Sequence, residues 1–316
     1  MVTTAMPIVI HTPLNCALSD THHDHVAVMG NMDGVHKGHQ VLIAEAAALA
    51  REMGKPLDAI IFDPHPRQVF DPGGDPFLLT SREQKIALLG EQGIETVFVV
   101  PFNRQLSMLA PEEFVHDILG NVLGLAGVVV GEGFRFGQKR AGTTQMLESL
   151  GAAAGMTVRI VTPAAMSGAS EKYSSSQARA ALRDGDPQLA TRIIGRPFTV
   201  EGLVQKGQQL GRTLNFPTAN ISMETYLHPA KGVYAVTVQL GDKFAKGVAN
   251  FGNRPTVDGT GVLLEVFLFD FAQDIYGETI AVAFHHFIRP EQKFDGLDAL
   301  KEQIAADCEQ AIALLA

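Results

Sequence analysis

Cysteine is nearly absent: the 316 residues hold only Cys16 and Cys308. That excludes a disulfide framework and a zinc site built on cysteine. Long apolar runs are missing too. Val122 to Val130, interrupted by glycines, falls far short of the roughly 20 residues needed to cross a bilayer. No basic-then-apolar leader opens the chain, whose early residues are acidic and histidine-bearing instead, so a cytoplasmic protein is expected. Low-complexity tracts and internal repeats are absent, and 46% hydrophobic with 19% charged residues is ordinary for a folded chain.

Positive charge is also in deficit. Lys and Arg number 25 against 34 Asp and Glu, a formal net charge of -9. A general nucleic-acid binder is normally basic, because phosphate neutralisation supplies most of its affinity. The interleaved basic and aromatic residues that grip single strands are lacking as well. Neither nucleic acid nor a membrane is expected as a partner. Small phosphorylated ligands remain open, since backbone amides and a few cations hold them against an acidic background. No G-x-x-x-x-G-K-[ST] string occurs, which excludes a P-loop kinase.

What is present reads as two domains, the default at this length. From His25 to Thr162, short apolar runs alternate with helical patterns. The runs His25–Asn31, Leu57–Asp63, Thr96–Val100, Gly127–Gly131 and Thr157–Thr162 suit buried parallel strands. Leu42, Ala46, Leu49, Ala50 and Met53 repeat at helical steps, and Pro111-Glu112-Glu113 opens another helix. An α/β domain with an open parallel sheet, covered by helices on both faces, is expected over residues 1–186. After Gly185-Asp186-Pro187 the texture changes to closely spaced strands: Thr199–Lys206, Gly232–Leu240, Lys243–Asn250, Val262–Phe271 and Thr279–Ile288. Gly241-Asp242 marks a hairpin turn. Residues 187–316 therefore read as an antiparallel β-barrel. A terminal helix packs on it through Leu297, Leu300, Ile304, Cys308, Ala311 and Leu315.

The first chemical constellation follows the first strand. Gly30-Asn31 leads through Asp33-Gly34-Val35 into His36-Lys37-Gly38-His39 at a helix start. Glycine permits close backbone approach, and the helix N-terminus offers free amides to phosphate. Two imidazoles about one turn apart would face the same ligand and steady charge developing on a nucleotide's phosphates.

His36-Lys37-Gly38-His39 resembles the H-x-G-H signature of nucleotidylyltransferases. The run Gly30–Gln40 is similar to the opening motif of bacterial bifunctional riboflavin kinase/FMN adenylyltransferases. Phe62-Asp63-Pro64-His65-Pro66, Pro101-Phe102-Asn103, Gly131–Gly137 and Ser174-Ser175-Ser176 with Arg179 follow in that family's order. The resemblance implies ATP contacts at Gly30, Asn31, Asp33, Gly38, Ser175, Ser176 and Arg179, with His36 and His39 catalytic for adenylyl transfer. Ser176 is expected to cap its helix, with Arg179 one turn on. Four departures stand out: Met32 where the family usually has Phe, Gly133 where it has Asn or Asp, Ser176 where it has Thr, and Lys172 where some relatives have Arg. Gly133 keeps an alternative open, a riboflavin kinase whose N-terminal domain only binds a nucleotide or flavin.

The second constellation is Gly211-Arg212-Thr213-Leu214-Asn215-Phe216-Pro217-Thr218-Ala219-Asn220. It resembles the riboflavin kinase signature that binds Mg-ATP, with Gly211 and Arg212 over the phosphates. Thr218 and Asn220, two apart in an extended segment, share a face, and their oxygens suit Mg2+. Glu265 lies with Leu263, Phe267 and Phe269 on one strand face, where a carboxylate is costly unless paired or functional. It is the candidate base, and its Leu-Glu-x-x-Leu-x-Asp-Phe setting resembles the family's. Lys231–Tyr234, Asn250–Thr256 and Arg289–Phe294 also look like family motifs, implying flavin contacts at Asn250, Arg254 and Arg289. His22, His23, His25, His285 and His286 are not expected to hold metal. The expected activity is phosphorylation of riboflavin to FMN and adenylylation of FMN to FAD, with ATP as co-substrate.

Overall fold

The computed structural model describes residues 6–14, 16, 18–19, 22–162, 173–205, 216, 218–253 and 262–316. In the first half, the expected strands form as β2 (Val26–Met29), β3 (Leu57–Asp63), β4 (Thr96–Pro101), β5 (Gly127–Gly131) and β6 (Thr157–Val161). A further strand, β1 (Ile8–His11), was not foreseen. It is an edge strand of four residues, mostly exposed, with neither the buried run nor the alternation that announces a strand. The six strands lie parallel in the order β1-β4-β3-β2-β5-β6.

Strand periodicity sends alternate side chains to opposite faces, and both faces are covered. Val26, Val28, Ala59, Ile61 and Val97 meet Ile43, Ala46 and Leu49 of α1 (Lys37–Met53). After the short α2 (Pro66–Phe70), α3 (Arg82–Glu91) adds Ile86 and Leu89 to that layer. Ala27, Met29, Ile60, Phe98 and Val128 point the other way. There α4 (Arg104–Ser107), α5 (Pro111–Glu113, running on as a π-helix Phe114–Val122) and α6 (Thr144–Ala153) supply Leu106, Phe114, Ile118 and Leu147. Because every strand runs the same way, the loops that follow β2, β3, β4 and β5 gather at one edge of the sheet, the usual ligand edge of such sheets.

The second half carries α7 (Ser175–Arg183), α8 (Pro187–Ile194) and six antiparallel strands. These are β7 (Phe198–Leu203), β8 (Thr218–Ser222), β9 (Gly232–Leu240), β10 (Lys243–Asn253), β11 (Val262–Leu268) and β12 (Thr279–Pro290). Their order is β7-β12-β9-β10-β11-β8, and the sheet curls until its ends approach, Gln205 N–H donating to Asn220 O at 2.8 Å. Phe198, Tyr234, Phe251, Leu264 and Phe284 fill the inside. The opposite face of β9 and β10 is covered by α9 (Leu297–Leu314), where Cys308 and Ala311 meet Val233, Ala235 and Val248. Leu297, expected in that stripe, is 65% exposed instead, because the helix reaches the sheet only in its later turns.

The chain forms two compact units, residues 1–74 with 82–173, and residues 75–81 with 174–316. The change of texture at residue 186 thus falls inside the second unit, between α7 and α8, which pack on each other. Residues 75–81 join that unit through bonds such as Leu227 N–H to Leu78 O at 2.8 Å.

Candidate functional site

The turn between β2 and α1 is backbone-strained. Met32, Gly34 and Val35 have φ of 49°, 82° and 38°, a left-handed excursion that costs a β-branched valine most. It is held by Val35 N–H to Met32 O at 3.1 Å and by Gln40 Nε2–H to Val35 O at 3.0 Å. The turn buries Asp33 and brings His36 to the N-cap of α1. There His36 Nδ1 accepts the His39 N–H at 3.3 Å, which leaves Nε2 as the ring's N–H donor. The His36 and His39 rings stack at 3.7 Å, so the structure brings the expected pair together. Gly38 is required by close approach: a Cβ would lie 2.7 Å from the Tyr173 carbonyl and 3.0 Å from the His36 ring. Gly30 and Asn31 are half-buried on the same turn. Gly133, by contrast, has open space around it and accepts a side chain without conflict.

In the second unit, Ser174, not Ser176, caps α7, accepting the Gln177 N–H at 3.2 Å. Ser174 has the extended backbone a cap needs, whereas Ser175 and Ser176 are already in the first helical turn. Arg179 lies one turn on from Ser175, donates from Nε to Phe77 O at 2.8 Å and rests over the Phe77 ring.

The kinase candidates converge through strand register. Asn250 on β10 is opposite Glu265 on β11, and Glu265 is opposite Asn220 on β8. The row continues through Val233 of β9 to Arg289 of β12. Directly opposed residues share a face. Thus Arg289, Asn250, Glu265 and Asn220, separated by up to 69 positions in sequence, stand in one line across the sheet. Thr218 is two residues from Asn220 on the same strand, opposite Phe267. Asn220 is 4% exposed, and its Oδ1 has no hydrogen-bond partner among the described residues. Gly211, Arg212 and Arg254 lie outside the described residues.

Each unit shows further contacts. Asp307 of α9 is buried against Arg289. A Cβ on Gly252 would strike the Glu291 carboxylate, so the Asn250–Thr256 and Arg289–Phe294 motifs touch. In the first unit, exposed Phe70 packs edge-on against Phe102 at 5.7 Å, beyond the ends of β3 and β4. Gly252, Glu291 and Phe102 fall within motifs named above, whereas Phe70 and Asp307 belong to none of them. Two further histidines have side-chain partners: His25 pairs with Asp58, whose carboxyl burial raises above its usual range, and His285 Nε2 is 2.9 Å from Thr237 Oγ1.

The family model described as FAD synthetase matches residues 18–177, and that described as riboflavin kinase matches residues 194–315. A bifunctional riboflavin kinase/FMN adenylyltransferase of Pseudomonas fluorescens is 42% identical over 300 residues, 95% of this chain and 96% of its own. The chain belongs to the bifunctional riboflavin kinase/FMN adenylyltransferase family. Its Escherichia coli K12 member is 40% identical over 89% of this chain and 90% of its own, and the Bacillus subtilis member 37% over 91% of each. A solved structure described as a macrolide-efflux protein from Streptococcus pneumoniae superimposes with a TM-score of 0.82, at 32% identity over 96% and 97% of the two chains. Efflux is said of that protein alone. Among the described residues here, no helix is long and apolar enough to cross a membrane.

Proposed function

We propose that residues 187–316 phosphorylate riboflavin and residues 1–186 adenylylate the resulting FMN, each from ATP. The observation that carries the kinase half is the cross-strand row with Glu265 between Asn250 and Asn220. Glu265 accepts the proton of the riboflavin 5′-hydroxyl as that oxygen bonds to the γ-phosphorus of ATP and the bond to ADP breaks. Thr218 and Asn220 supply oxygen donors beside it, and the buried Asn220 Oδ1 fits a hard cation such as Mg2+. When bound, that ion neutralises phosphate charge. We assign Gly211 and Arg212 to binding the ATP phosphates, and Asn250, Arg254 and Arg289 to binding the flavin.

In the adenylyltransferase half, an FMN phosphate oxygen attacks the α-phosphorus of ATP and pyrophosphate leaves. The attacking group is already anionic, so the step needs no protein base. His36 donates from Nε2, the nitrogen its capping bond leaves protonated, and His39 stacks beside it. Gly30, Asn31, Asp33 and Gly38 shape the turn around ATP. Ser175, Ser176 and Arg179 bind its phosphates. Phe70 and Phe102 offer an aromatic surface to the FMN ring.

Incubating the purified protein with riboflavin and Mg-ATP and separating the flavins tests the reading. FMN appears first and FAD follows. Accumulation of FMN alone would leave a kinase with a non-catalytic first half.

A further inference from the structure

The C-terminal helix delivers one buried carboxylate to the sheet face that carries Glu265. Asp307 is 2% exposed and takes three hydrogen bonds from Arg289, from Nε at 2.8 and 3.1 Å and from Nη2 at 2.7 Å. Gln303 Nε2–H adds a fourth at 2.9 Å. The packing of α9 does not call for this charge, since Ile304, Cys308, Ala311 and Leu315 already supply an apolar stripe. A buried ion pair is weak as a stabiliser but strong at fixing orientation. Here the orientation fixed is that of the guanidinium. Nε and one Nη2 proton go to Asp307, one Nη1 proton goes to Pro290 O at 3.1 Å, and the group lies over the Phe294 ring. Arg289 has five N–H donors, so these bonds leave two available while the plane is held.

We infer that Asp307 is the positioning residue for Arg289 in the riboflavin kinase site, so that the C-terminal helix sets how this arginine meets the flavin. The inference rests on the reading of Arg289 as a flavin contact, which its place in the row with Asn250, Glu265 and Asn220 supports. Asp307 itself touches no substrate.

The test is riboflavin phosphorylation by the full chain carrying Arg289→Met, Asp307→Asn or both, with FMN adenylylation followed in the same preparations. Asp307→Asn is expected to raise the riboflavin KM about tenfold with kcat and the ATP KM nearly unchanged, a loss of ground-state binding. The double variant should be no worse than Arg289→Met, because the carboxylate acts only through that arginine. Should Asp307→Asn melt too early to assay, Asp307→Glu carries the test. It keeps the charge but shifts the guanidinium by a methylene, and raises the riboflavin KM. If Arg289→Met raises that KM and neither Asp307 variant does, positioning is overturned while the flavin contact stands. If no variant changes it, both are overturned and the pair is structural. Multiplicative effects in the double variant also overturn the inference, since the two residues would then act independently.

Discussion

Glu265 is half-buried, flanked across the sheet by Asn250 and Asn220, with the aromatic ring of Phe267 two residues on. Its amide replacement keeps the shape and removes the proton acceptor. Glu265→Gln is expected to lower FMN formation from riboflavin on the order of a hundredfold or more, while FMN supplied directly is still converted to FAD. Unchanged phosphorylation by the folded variant would remove Glu265 from the mechanism. The placement of Glu265 was legible in sequence, because a lone carboxylate on an apolar strand face stands out. The Asp307 partner of Arg289 was not, since an acidic residue in an amphipathic helix reads as solvated until the helix is docked. The helix cap was misplaced from Ser174 to Ser176 for a similar reason: three adjacent serines look alike until backbone angles separate them.

At the scale of elements, the start of α1 makes a sharp demand on Gly38. Gly38→Ala places a methyl against the Tyr173 carbonyl and the capping His36 ring. The expected outcome is a large fall in FMN adenylylation with riboflavin phosphorylation retained; equal loss of both would indicate general unfolding. In the barrel, burial lowers the pKa of His228 and, helped by neighbouring His286, that of His285. Each is thus favoured neutral in the folded state, and its stabilising contribution is present above the unfolded value of about 6.5 and lost as pH falls through the lower folded value. The second unit's melting temperature should fall as pH drops below about 6.5. A His228→Gln/His285→Gln variant should show a shallower dependence; an unchanged slope would assign the effect to other groups. Buried parallel strands and glycine-marked hairpins were legible as elements. The edge strand β1 was not, because pairing on one side leaves no periodic signature, and β8 was visible only as an extended segment within a motif.

Across the whole molecule, the change of sequence texture at residue 186 and the compact units do not coincide, since α7 packs on α8 and Ala230 N–H bonds to Leu182 O at 2.9 Å. Sequence texture reports strand spacing, whereas unit membership depends on where Ala178, Ala181 and Leu182 are buried. A fragment of residues 174–316 should therefore melt at least about 5 °C above one of residues 187–316, and both should phosphorylate riboflavin. Equal melting points would mean that α7 adds nothing to the unit.

Whether the two chemistries of this chain are separable is decided by giving riboflavin and Mg-ATP to a His36→Ala/His39→Ala variant and separating the flavins over time. Loss of even one donor of this kind costs about a hundredfold in rate, so FMN is expected to accumulate at the normal rate with almost no FAD. FAD formed at the rate of the unaltered protein by the folded variant would contradict it.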